Sequence, residues 1–129
     1  MRTLFLMFFL FAMSGFSDAQ ISAPAASATL AKQTYLVVYK PGPKWLAGKP
    51  ASEQPLKEHF KYMLSLYSSG TMRLAGPFGK DAGGALLFEA MDDADALKTV
   101  NSDPAVIDQI FVFELNRWDL IQWDKYVKK

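Results

Sequence analysis

The order of strand-like and helix-like segments predicts an α+β fold. From residue 34 the chain reads as strand, helix, strand, strand, helix, strand. This order is typical of an antiparallel sheet with both helices on one face. The strand segments are rich in β-branched and aromatic residues, while the helical segments repeat apolar residues every three or four positions. We therefore predict a ferredoxin-like βαββαβ sandwich with a four-stranded antiparallel sheet and two helices on one face.

The first residues have the pattern of a secretory signal peptide. Arg2 precedes an unbroken apolar run from Leu4 to Met13, and small residues follow up to Ala19. The run is too short to span a bilayer as a stable helix. We expect residues 1–19 to be a signal peptide, cleaved after Ala19 or alternatively after Ala28. The mature protein is then exported, to the bacterial periplasm or beyond, and keeps no stable membrane anchor.

The mature chain is predicted to be one domain behind a short leader. Residues 20–33 are rich in Ala and Ser and are typical of a flexible leader, so the domain spans residues 34–129. The net charge is +1, and no basic cluster indicates a nucleic-acid partner. Zero cysteines and one histidine exclude a His/Cys metal cluster. No phosphate loop or dinucleotide motif is present, so we expect no cofactor and no metal.

The first strand, residues 34–40, leads into an unusual segment. Residues 41–55 contain four prolines and two glycines, which disfavour both helix and strand. Loops of this length in a small domain are often lids or binding loops. Trp45 within it is predicted either to serve such a site or to pin the loop to the body of the domain.

The segment 53–70 is predicted to be the first helix, ending at a cap formed by Gly70. Its apolar residues recur at helical spacing and are predicted to face the core: Leu56, Phe60, Met63, Leu64 and Tyr67. His59, the one histidine of the chain, falls at the edge of this stripe, so we expect it to be half-buried.

The second half of the chain supplies the remaining elements. Strands are predicted at 71–78, 85–90 and 110–118, and a helix at 92–103. Inward positions of that helix are Ala94, Leu97 and Val100. The glycines of the two short motifs Gly76-Pro77 and Gly83-Gly84 are expected to permit close backbone approach and tight turns, with a pocket wall as the alternative.

The strands are apolar on both faces, although two helices can cover only one. Tyr35, Val37 and Tyr39 alternate with Leu36 and Val38 in the first strand. A second copy of the same sheet is the simplest cover for the other face, so we predict a homodimer. The alternative is that the loop and the C-terminal tail cover it alone.

With this order of elements and motifs, the chain resembles the YciI-like (YCII-related) family. The resemblance runs from about residue 34 to 118 and is carried by short motifs in a fixed order. These are His59 within "EHFKYMLSLYSSG", Ala75-Gly76-Pro77, Gly83-Gly84, and Asp103-Pro104 within "SDPAV". The "PGPKW" opening of the loop is similar to an exported subgroup. The resemblance implies a dimeric α+β barrel.

The resemblance also implies a site. Family members are discussed as enzymes with a His/Asp pair in a pocket, and a related member is a dehydrochlorinase acting on a chlorinated hydroxyquinol. His59 and Asp103 match that pair. Many members carry an arginine three residues before the histidine, where this chain has Leu56. An anion-anchoring role for that arginine is therefore in doubt here, although Lys57 or Arg73 can substitute.

The residues themselves allow two readings of this pair. An imidazole can take and give a proton near neutral pH, and a carboxylate can fix its tautomer. Alternatively, His59 is a satisfied core residue and Asp103, which precedes a proline, simply caps a helix. Further pocket candidates are Tyr39, Trp45, Gly76, Pro77 and Trp118.

The predicted function is cofactor-free proton transfer by His59 and Asp103 on a small cyclic molecule. The reaction would be an elimination, as in a lyase, or an isomerisation. The alternatives are a module that binds a small ligand without turnover, and a purely structural dimer that has no open pocket.

Overall fold

A computed structural model describes residues 31–79 and 82–127 of the chain. The predicted signal peptide and leader residues 20–30 lie outside the described residues. The described elements, in chain order, are β1 (Gln33–Pro41), α1 (Lys57–Ser68), β2 (Met72–Pro77), β3 (Gly84–Ala90), α2 (Asp93–Asn101), α3 (Pro104–Ile107) and β4 (Phe111–Arg117). Single turns of 3-10 helix occur at Ala51–Glu53 and Trp123–Tyr126.

The strands form one antiparallel sheet in the order β2-β3-β1-β4. This order, with the helices packed on one face, confirms the predicted ferredoxin-like α+β fold. The predicted second helix, residues 92–103, ends at Asn101 as α2, and the helix start offered by Asp103-Pro104 forms the separate one-turn helix α3. No helix among the described residues is both long enough and apolar enough to cross a membrane.

The core lies between the sheet and the helices. Alternate residues of the central strands point inward and are almost fully buried, as Tyr35, Val37, Leu86 and Phe88 are. The Tyr35 hydroxyl donates a 2.6 Å hydrogen bond to the Asp93 carboxylate at the start of α2. This bond satisfies the polar end of a buried ring and ties β1 to the helical layer.

Helix α1 ends as predicted but presents a different face to the core. Gly70 has φ +74°, a left-handed conformation that glycine adopts without strain, and its N–H donates to the Tyr67 carbonyl. The predicted inward stripe was wrong in part: Phe60, Leu64 and Tyr67 are 63%, 50% and 68% exposed. The residue of this helix that is buried in the core is Leu66, flanked by partly buried Tyr62 and Met63. Helix α1 therefore has two apolar surfaces, one that packs into the core and one that is left exposed.

The second helical layer differs from prediction in a similar way. Ala96 and Val100 are the buried residues of α2, whereas two of the predicted inward residues, Ala94 and Leu97, are exposed, Leu97 by 45%. Asp92 caps α2 by accepting a hydrogen bond from the Asp95 N–H at 2.8 Å. Asp103 caps α3, with Pro104 at the first helical position, so the predicted capping role of Asp103 is confirmed.

The proline-rich loop between β1 and α1 is organised by a buried amide. Gln54 is 7% exposed and accepts from the Leu46 N–H at 2.8 Å. Its amide nitrogen donates to the carbonyls of Leu46, at 2.9 Å, and Lys49, at 3.0 Å. Trp45 is partly buried, with its ring 5.5 Å from that of Phe111. Trp45 thus packs against the domain.

The face of the sheet opposite the helices carries apolar residues. Leu74 and Val112 on the two edge strands are 69% and 46% exposed. Leu36, Val38 and Leu87 lie between them and are partly exposed. The C-terminal segment after β4 does not bury its own apolar residues either, since Trp123, Tyr126 and Val127 are all exposed.

Candidate functional site

A buried carboxylate holds the one histidine of the chain. Asp103 is fully buried, and both of its oxygens lie near His59 Nδ1, at 2.9 and 2.8 Å. Asp103 Oδ1 also accepts from the Ala105 N–H at 2.9 Å. A carboxylate buried in this way needs such donors to offset the loss of its hydration.

The arrangement follows from local sequence. The Asp103-Pro104 pair starts α3 and fixes the carboxylate against the backbone of Ala105. Helix α1 lies across α3 and presents His59 from its first turn. One carboxylate therefore performs both roles that the sequence left open, capping α3 and binding the imidazole.

Aromatic rings surround the imidazole on the side of the sheet. The rings of Tyr39 and Phe111 meet His59 edge-on, with centroids 5.6 and 5.4 Å away. The side chain of His59 remains 17% exposed. It is half-buried as predicted, and it borders a cavity.

That cavity lies between α1 and the β2–β3 side of the sheet and has a volume of about 560 Å³. From the helix it is lined by Leu56, His59, Phe60, Met63, Leu64 and Tyr67. From the sheet it is lined chiefly by Tyr39, Met72, Ala75, Pro77, Gly84 and Phe111. The residues of α1 that were expected in the core are therefore walls of this cavity.

The hydrogen bond to Asp103 determines what the imidazole can do. A carboxylate is an acceptor, so Nδ1 carries the proton and Nε2 of the neutral ring keeps a free electron pair. Among the described residues, hydrogen bonds to this ring are made through Nδ1 alone. Nε2 is thus the atom that is left to accept a proton from a bound molecule.

Two tyrosines lie near the buried carboxylate. The Tyr39 hydroxyl is buried and forms no hydrogen bond of good geometry with any described residue. Burial, together with the nearby charge of Asp103, raises the pKa of Tyr39 far above its ordinary value. Tyr62 donates to the Thr99 carbonyl at 2.7 Å, and burial followed by the Asp103 charge raises its pKa as well. Both phenols therefore stay neutral at physiological pH.

The other predicted pocket residues divide into two groups. Gly76 and Pro77 line the cavity with Tyr39, while Trp45 and Trp118 do not. Trp45 lies behind Phe111, and the Trp118 N–H bonds the Thr34 carbonyl at the opposite end of β1. Ala75 and Phe111 also line the cavity, but the sequence did not identify them as site residues. Alternation along β4 could have placed Phe111 on the face of the sheet that the helices cover.

The two glycine motifs, Gly76-Pro77 and Gly83-Gly84, differ in whether the backbone geometry requires glycine. Gly83 has φ +119°, and a Cβ on Gly84 would lie 2.5 Å from the Gly76 carbonyl oxygen, so close backbone approach is confirmed there. A Cβ on Gly76 would meet nothing within 4 Å, so close approach does not explain that glycine.

Within residues 31–79 and 82–127, no group of three or more His, Asp or Glu side chains stands together as a metal site would need. The functional groups that the described residues bring together are the imidazole, the carboxylate and the two phenols.

Comparison with known proteins identifies the family. A profile of the YCII-related domain matches residues 34–119, which is more than half of the chain. The chain belongs to the YCII-related domain family. The match covers β1 to β4 and therefore includes every wall of the cavity and both members of the His59–Asp103 pair. No similar curated protein was found, and no similar solved structure.

Proposed function

We propose that this YCII-related domain is an exported homodimer that catalyses cofactor-free proton transfer on a small cyclic molecule. The observation that carries the proposal is the contact of His59 Nδ1 with the buried Asp103 carboxylate at the wall of an apolar cavity. Paired in this way, an imidazole has one nitrogen fixed and the other available to a ligand.

The chemistry needs only the groups already described. Nε2 of His59 takes a proton from a carbon next to a carbonyl or an equivalent activating group. In an elimination, the C–H electron pair forms a C=C bond and the leaving group departs with the electrons of its own bond. In an isomerisation, the same proton returns from Nε2 to a different carbon. The Asp103 carboxylate stabilises the imidazolium that exists in between.

A binding module without turnover is the second candidate, and one observation favours it. The cavity has a size common among small-molecule sites, and its walls are mainly apolar. Such a pocket can hold a ligand through shape alone. A purely structural dimer gains no support from an open cavity of this size.

Solvent exchange separates turnover from binding without knowledge of the natural substrate. Small lactones, cyclic ketones and halogenated phenols are incubated with the protein in D2O, and loss of C–H signal or release of halide is followed by NMR. We expect His59→Gln to slow the reaction of an active compound by about 10²–10⁴-fold.

Lys61→Gln is the control, since Lys61 lies on the exposed side of the same helix and pairs with Glu58. Equal rates for wild type and His59→Gln would contradict the role of His59. Binding without exchange or halide release for any compound would favour the binding module.

The dimer is proposed to form through the sheet face that the helices leave open. Leu36 and Leu87 supply its apolar centre, Leu74 and Val112 extend the apolar surface to the edge strands, and the ion pairs Lys40–Glu114 and Arg73–Glu89 flank it. A charge placed within such an interface remains desolvated and unpaired. Leu74→Asp should therefore produce monomers in analytical ultracentrifugation. Leu97→Asp, on an exposed helical surface, should leave the dimer intact. A wild-type protein that is monomeric would refute the proposed homodimer.

Export rests on the N-terminal pattern of residues 1–19. Fusion of residues 1–28 to a reporter that is active only in the periplasm tests it. Cytoplasmic retention of the fusion would remove export from the proposal.

A further inference from the structure

The cavity beside His59 is almost free of polar side chains. The walls that α1 contributes around His59 are Leu56, Phe60, Met63, Leu64 and Tyr67, and the opposite wall is formed by Met72, Ala75 and Pro77. The ionised group nearest the imidazole is Asp103, which is negative and is already bonded to Nδ1. A ligand in this cavity therefore meets a mainly apolar surface, the phenol rings of Tyr39 and Tyr67, one imidazole, and a negative charge behind the imidazole.

Two positive side chains near the cavity are held in ion pairs on the surface. Lys61 pairs with Glu58 at 2.8 Å on the exposed side of α1. Arg73 pairs with Glu89 at 2.7 Å. Among the described residues, no lysine or arginine lines the cavity. Lys57 and Arg73, which the sequence offered as substitutes for an anion anchor, are therefore not wall residues.

Leu56 is the cavity wall residue that comes just before α1 in the chain. It lies three residues before His59, so the two side chains sit on the same side of the helix start, and both line the cavity. Its partly buried isobutyl group extends the apolar wall up to the imidazole.

We infer that the site selects neutral, largely apolar ring compounds over anions, and that Leu56 determines this selectivity. A carboxylate ligand would lose its hydration, gain no cation among the described residues, and face the charge of Asp103. A neutral ring loses little on leaving water and gains contact with aromatic and thioether side chains. The inference rests on the proposed function for its site, and it adds the class of substrate.

Size narrows the class further. A cavity of about 560 Å³ lies in the range of small-molecule sites. It accommodates one or two fused rings with short substituents. The substrate class is therefore a neutral cyclic compound whose single activating polar group can approach Nε2 of His59.

The test compares two probes that share a ring and differ in charge. Acetophenone is the neutral probe and benzoate is the anion, each titrated into full-length mature protein. Methyl signals of selectively labelled Met63 and Met72, which line the cavity, report binding by NMR. We expect acetophenone to bind at least about tenfold more tightly than benzoate.

Leu56→Arg should reverse the preference, because the guanidinium supplies the missing cation at the wall. Leu97→Arg is the matched control, since Leu97 is exposed on α2 and does not line the cavity. Lys80→Ala tests the contribution of a lysine outside the described residues. If Leu56→Arg does not fold, Ala75→Leu replaces it. Ala75 lines the cavity, so the larger side chain should abolish acetophenone binding.

Each outcome has a definite meaning. Equal binding of the two probes to wild type, or an unchanged preference in Leu56→Arg, would overturn the inference. A marked increase in the neutral preference on Lys80→Ala would also overturn the role of Leu56, because the lysine would then be the residue that determines how the site treats anions. Because binding is measured without turnover, the neutral preference can hold while the D2O experiment shows no proton transfer. In that case the substrate class survives and the enzymatic proposal fails.

Discussion

Replacement of Asp103 by Asn isolates the energetic value of the buried pair. The amide oxygen can still cap Ala105, whose N–H lies 2.9 Å from Asp103 Oδ1. The charge-assisted bond to His59 is lost, and hydrogen bonds to charged groups contribute about 1.5–3 kcal/mol. We therefore expect Asp103→Asn to lower the free energy of unfolding by about 2 kcal/mol. Asp103→Ala, which also removes the cap, should cost about 1 kcal/mol more.

Urea unfolding followed by circular dichroism measures these losses. With a typical slope for a small domain, about 2 kcal/mol lowers the midpoint by roughly 1–2 M. Asp92→Asn is the matched control, because Asp92 caps α2 at an exposed position and has no histidine partner. Asn and Asp are nearly equal as caps, so that variant should change stability by less than about 0.5 kcal/mol. Equal losses at the two sites would refute the argument that the His59 contact stabilises the fold.

Three further variants test other parts of the structure. Tyr39→Phe should change stability at pH 7 by less than about 1 kcal/mol, because the buried hydroxyl that it removes makes no hydrogen bond of good geometry with a described residue. The raised pKa of Tyr39 contributes stability below its unfolded value of about 10 that is lost as pH rises further. Urea midpoints should therefore fall less steeply above pH 10 in the variant, and identical slopes would contradict this. Gln54→Ala should lower the free energy of unfolding by about 2 kcal/mol, because the Leu46 backbone groups lose their hydrogen bonds to the Gln54 amide. Urea unfolding measures the loss, with Gln122→Ala at an exposed position as the control. Equal effects of the two variants would contradict the stabilising role of Gln54. Gly83→Ala should cost about 1–3 kcal/mol in thermal unfolding, because φ is +119° and the added Cβ would clash with the Tyr39 carbonyl oxygen. Gly79→Ala should be tolerated, since a Cβ there meets nothing within 4 Å, and a Gly83→Ala variant as stable as the wild type would disprove the strain.

Sequence predicted the fold well because its signals are local and strong. The β-branched and aromatic residues of β1 mark a strand, Gly70 ends α1, and the Asp103-Pro104 pair starts a helix. Each of these signals depends on one or two residues and elementary geometry. Tertiary packing had little freedom to override them.

The site was less accessible from sequence because it depends on which of two apolar surfaces of α1 meets the core. Periodicity identified Phe60, Leu64 and Tyr67 as apolar positions but could not distinguish a core from a cavity wall. The contact between His59 and Asp103 spans 44 positions of sequence, so it was inferred from family resemblance, not from spacing. The partner of Gln54 is loop backbone, for which side-chain patterns carry no signal.

The tautomer of His59 decides whether Nε2 is free to act as a base. Two-bond nitrogen–proton correlations of the imidazole, recorded at a pH where the ring is neutral, distinguish protonated Nδ1 from protonated Nε2. We expect protonated Nδ1 in the wild type, because Asp103 accepts from it at 2.8 Å. We expect Asp103→Asn to shift the balance toward protonated Nε2, since an amide can donate to Nδ1. A wild-type ring protonated at Nε2, or one that is unchanged in the variant, would contradict a base held ready by Asp103.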